Sequence, residues 1–89
     1  MKKGTKMQTY LTKIRNSMIH DGNNISFQFM NKACGVSSTV NDGVFHFTSW
    51  FGDSTKEYSD VDDALFDDFF GGQSVADLAN NRSVRVAFH

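Results

Sequence analysis

The chain has 89 residues with nine Lys and Arg, ten Asp and Glu and a net charge of -1, which implies one small domain with a modest core and no overall polybasic character. Its 39% hydrophobic content, with nine Phe, is that of a folding chain and excludes wholesale disorder. No stretch approaches eighteen apolar residues, which argues against a spanning helix, and the single Cys34 cannot close an intramolecular disulfide, so a reducing, cytoplasmic setting is expected.

The opening "MKKGTKMQTY" is cationic but runs into Gln, Thr and Lys where a signal peptide needs an apolar run, so no export signal is expected. Thr5 and Gln8 have the spacing of a capping box. Behind them Met7, Leu11, Ile14 and Met18 recur at spacings of four, three and four, which predicts one apolar helical stripe. "HDGNN" at 20–24 ends this helix, because Gly22 tolerates a positive φ. "NISFQFMN" then alternates Ile25, Phe27 and Phe29 against Ser26, Gln28 and Met30 and predicts a strand. "ACGVSSTV" is weaker strand material, and "NDG" at 41–43 connects it, as a three-residue hairpin loop, to "VFHFTSWF". In that strand Phe45, Phe47 and Phe51 share one face while His46, Thr48 and Trp50 share the other. Gly52 and Asp53 suit a two-residue II′ turn, which returns the chain through "STKEYS" and sets Tyr58 opposite Phe47.

"SDVDDALFDDFFGG" at 59–72 predicts a helix of about eleven residues. Ser59 caps it, Val61, Leu65 and Phe69 face inward with Ala64 and Phe66 beside them, and Gly71 takes the left-handed turn beyond its end. Asp60, Asp63 and Asp67 collect on the wet side. Asp67 and Asp68 fall in the last turns, where negative charge opposes the helix dipole, and Phe70 falls near the edge of the apolar arc as a partly exposed ring. Ser74 and Asp77 repeat the capping spacing for a short second helix carrying Val75 and Leu78. Val84, Val86 and Phe88 alternate in a closing strand. The expected architecture is α+β: an N-terminal helix, an antiparallel sheet of three to five strands built as a meander plus the C-terminal strand, and two short helices packed on one face.

Chemistry is sparse. His20, His46 and His89 lack partners at ligand spacing, no metal or cofactor is implied, and no phosphate-binding, dinucleotide or nucleophile-elbow string occurs, so no enzyme is expected. Charge is segregated instead. Residues 1–20 carry five cations and no acid, whereas residues 53–68 carry seven acids against Lys56. This pattern predicts a binding or regulatory module whose acidic helix meets a basic protein surface, with Asp60, Asp63, Asp67 and Asp68 supplying charge and Phe70 an apolar anchor. In its sharpest form such a module inhibits a nucleic-acid-binding protein by imitating a phosphate backbone. The alternative is single-stranded nucleic acid on the polar sheet face, where Gln28, His46, Trp50 and Arg85 would meet. A membrane partner is not expected, and a homodimer is allowed.

Overall fold

A computed structural model describes the backbone of residues 2–81 and 83–89, and the side chains from residue 10 onward apart from residue 82. The fold is α+β. Helix α1 (Lys2–His20) leads into strands β1 (Ile25–Phe29), β2 (Lys32–Asn41), β3 (Val44–Phe51) and β4 (Ser54–Tyr58), then helices α2 (Val61–Phe66) and α3 (Val75–Ala79) and strand β5 (Ala87–Phe88). The sheet is antiparallel in the order β4-β3-β2-β1-β5.

Helix α1 is already formed at Lys2, so Thr5 lies inside it instead of capping it. The side chains of the proposed Thr5–Gln8 box, and that of Met7, lie outside the described residues. Ile14 and Met18 are fully buried and Leu11 partly so, as the apolar stripe requires. Gly22, at φ 67, turns the chain so that the Asn23 amide donates back to the Ser17 carbonyl at 3.1 Å.

Three two-residue turns set the register of the meander. Met30 and Asn31, both at positive φ, join β1 to β2 across the pair Phe29 and Lys32, so Met30 belongs to a turn and not to the strand. Asp42 and Gly43 do the same between β2 and β3, because Asn41 pairs with Val44; the expected three-residue loop is one residue shorter. Gly52 alone is positive in the third turn, as a II′ turn requires, and Tyr58 sits opposite Phe47 as expected. The strand over 34–40, weak in sequence, is the middle of β2, the longest strand of the sheet. The C-terminal strand is shorter than its alternation suggests and pairs only through Ala87 and Phe88.

The register assigns the two faces. Ile25, Phe27, Cys34, Val36 and Phe47 join Ile14 and Met18 of α1, Val61, Ala64 and Leu65 of α2, and Val75 and Leu78 of α3 in one core. All three helices therefore lie on the Phe-rich face. The opposite face carries Gln28, Thr39, His46, Thr55, Glu57 and Ala87, all exposed, and among the described residues no helix packs over it. Helix α3 is held by the anticipated box: Ser74 Oγ accepts from the Asp77 amide at 3.1 Å and Asp77 Oδ2 accepts from the Ser74 amide at 3.0 Å.

Candidate functional site

The acidic segment departs most from its expected form. Helix α2 spans only Val61–Phe66; Asp60, not Ser59, is its N-cap, and makes no side-chain cap bond. Asp67 already has an extended backbone, at φ -78 and ψ 136. The cause is on β4. Asp67 Oδ2 accepts from Lys56 Nζ at 2.8 Å and from Tyr58 Oη at 2.7 Å, so the side chain following the helix is drawn onto the sheet. Lys56 first and Tyr58 second hold the Asp67 carboxyl below the usual carboxylate range. Desolvation first, and the bond to Asp67 next, push the Tyr58 phenol up, so it stays a donor. Asp67 and Asp68 thus lie beyond the helix, and the dipole penalty does not arise in the expected form.

Release from the helix redirects the following rings. Phe70 is 0% exposed and meets Phe27, Phe51 and Phe69 edge to face, with ring centroids 5.3, 6.1 and 5.1 Å away. It is a core residue, which corrects its expected role as an exposed anchor. Gly71 and Gly72, at φ 61 and 86, close a tight turn between Phe70 and Gln73, so Gly71 takes its left-handed conformation there and not as a helix cap. The exposed ring is instead Phe66, at 57%. It stands between two shallow grooves, one lined by Lys56, Tyr58, Asp63 and Asp67, the other by Leu11, Thr12, Arg15 and Leu65, with Asp62 bordering both.

The carboxylates of this corner divide into two kinds. Asp62 accepts from Arg15 Nε at 2.9 Å, tying the basic and acidic segments together, and Asp67 is engaged on β4. Asp60, Asp63 and Asp68 are exposed and appear in no salt bridge found among the described residues. Of the four aspartates expected at the surface, Asp67 therefore serves the fold, and the other three line the surface around α2. A helical wheel places Phe66 beside the inward residues, but it cannot show that the helix ends there and leaves that ring at a free corner.

The second candidate surface lies across the molecule. Trp50 pairs with Gly35 on the bare face, and a Cβ at position 35 would collide with the Trp50 indole and the Ile25 carbonyl oxygen. The ring therefore occupies the space left by the missing side chain. A groove runs beside it, bordered by Ser26 and Gln28 of β1 and by Ser83 and Arg85 of the segment entering β5. Gln28, Trp50 and Arg85 are thus brought together as expected. His46 is not: it sits four residues from Trp50 along β3, paired with Thr39, and does not border the groove. Gly35 is the residue that sequence reasoning missed, although a glycine inside a strand is a known sign of close approach.

Cys34 is 1% exposed, and burial pushes its thiol up, which suits a small packing residue. No helix among the described residues is long and apolar enough to cross a membrane. Comparison with protein-family models, with curated proteins and with solved structures finds no match to this chain.

Proposed function

We propose that this chain is a small, non-enzymatic binding module that acts by occupying a partner protein through the acidic corner at α2. The observation that carries the reading is Phe66, a large ring 57% exposed on a six-residue helix, with the grooves on either side bordered by carboxylates. Exposed aromatic rings cost solvation free energy in the free protein and recover it when a partner covers them, which makes such a ring a natural anchor. Asp63 borders one of these grooves, and Asp60, Asp63 and Asp68, all exposed and in no salt bridge among the described residues, give this segment a negative surface, so the complementary surface is basic. In its sharper form the partner is a nucleic-acid-binding protein, whose cationic groove the carboxylates occupy in place of phosphates.

The test compares affinity capture by the wild type and by an Asp60→Asn/Asp63→Asn/Asp68→Asn variant. Asp67 is left intact because it holds the fold. The same partner should be retained by the wild type, released as salt rises, and recovered poorly by the variant. Equal recovery by both proteins would remove the proposal.

A further inference from the structure

We infer that the groove beside Trp50 takes an unpaired nucleotide of a single-stranded nucleic acid. This inference is independent of the α2 reading, because it rests on the other face of the sheet and on residues that the acidic corner does not contain.

Three observations carry it. Trp50 is seated on Gly35, so the indole is fixed by the sheet before any ligand arrives, and little side-chain entropy remains to be lost on stacking. Arg85 supplies a guanidinium at the rim, and among the described residues no carboxylate borders this groove, in contrast to the grooves at α2. Gln28 adds a side-chain amide, which can both donate to and accept from the edge of a base. A ring, a cation and an amide along one groove match the three parts of a nucleotide: a base to stack, a phosphate to neutralise and an edge to hydrogen-bond. The charge separates this occupant from a neutral ring such as a sugar, whose hydroxyls can accept hydrogen bonds from Arg85 but offer it no charge to neutralise. Bare strands on either side leave room for the backbone to continue, which a duplex with its bases stacked inward cannot exploit.

Trp50 is the single tryptophan of the chain, so its fluorescence reports on this groove alone. The probe is a ten-residue oligothymidylate at low salt. Saturable quenching that weakens steeply as salt rises is expected. Fluorescence anisotropy of the same oligonucleotide, carrying a dye, should show affinity reduced by about tenfold or more in Trp50→Ala and largely kept in Trp50→Phe. Arg85→Ala, which leaves the reporter in place, should weaken binding and flatten the salt dependence. Circular dichroism of each variant separates lost binding from lost folding. The inference is overturned by the absence of both signals at low salt, by unchanged affinity in Arg85→Ala, by equal affinity for the duplex of the same sequence, or by quenching with maltoheptaose and none with the oligonucleotide.

Discussion

The two faces of the sheet use aromatic rings in opposite ways. On the inner face Phe70 is enclosed by three other phenylalanines and covered by helices, so its burial stabilises the fold. On the outer face Trp50 rests on a glycine, partly buried beside a groove bordered by Ala33, Ala87, Gln28 and Arg85, so only the part of the ring still in water is left for a ligand to cover. The same contrast recurs within five residues at the end of α2, where Phe66 is exposed and Phe70 is not. Sequence position does not decide between the two uses. What decides is where the helix stops, and that is set by Lys56 and Tyr58 reaching Asp67 from the neighbouring strand.

The contrast predicts a graded set of responses. Removing the inner ring, in Phe70→Ala, should cost about 3 to 5 kcal/mol in urea unfolding, whereas Phe66→Ala should stay within about 0.5 kcal/mol of the wild type. Comparable losses in both would erase the distinction. Gly35→Ala comes next, at about 1 to 3 kcal/mol, because the added methyl must displace the indole and press on the Ile25 carbonyl. Its Trp50 emission should shift as the ring is lifted from the sheet, and an unshifted spectrum would mean that the ring is not seated there.

The smallest effect is the pH response of the tie between β4 and the end of α2. The Asp67 carboxyl titrates lower in the folded than in the unfolded chain, so its stabilisation is complete above the unfolded value of about 4 and disappears as pH falls through the folded value. Tyr58 has the opposite sign. Its phenol titrates higher when folded, so its contribution is complete below the unfolded value of about 10 and declines as pH rises beyond it. Thermal unfolding should therefore show a plateau between these limits. Asp67→Asn should soften the acid limb and Tyr58→Phe the alkaline limb; limbs that superimpose on those of the wild type would show that this tie contributes nothing.

Much of the architecture was legible because it depends on local spacing. Alternation placed Ile25 and Phe27 in the core, the Gly52–Asp53 turn set Tyr58 against Phe47, and the Ser74–Asp77 box opened α3 as its spacing required. The turn at Met30 and Asn31 was only half legible, since Asn31 suits a positive φ but Met30 does not suggest one and continues the strand alternation. The length of α2 was hidden for a different reason. A helical wheel sees only neighbours on its own axis, and the contact that ends this helix joins Asp67 to residues nine and eleven positions earlier. A wheel carried past that point leaves Phe70 partly exposed and sets Phe66 as a flank of the core, the reverse of their positions in the fold. At the outer face, Gln28, Trp50 and Arg85 were found by type and alternation, but the role of Gly35 appears only once β2 and β3 are in register.

The proposal for the acidic corner is tested most directly by partner recovery with Phe66→Ala at an unchanged urea midpoint. The account predicts that a partner held by the wild type is lost from this variant while Trp50→Phe still retains it. Retention by Phe66→Ala at wild-type level would contradict the assignment of α2 as the contact surface.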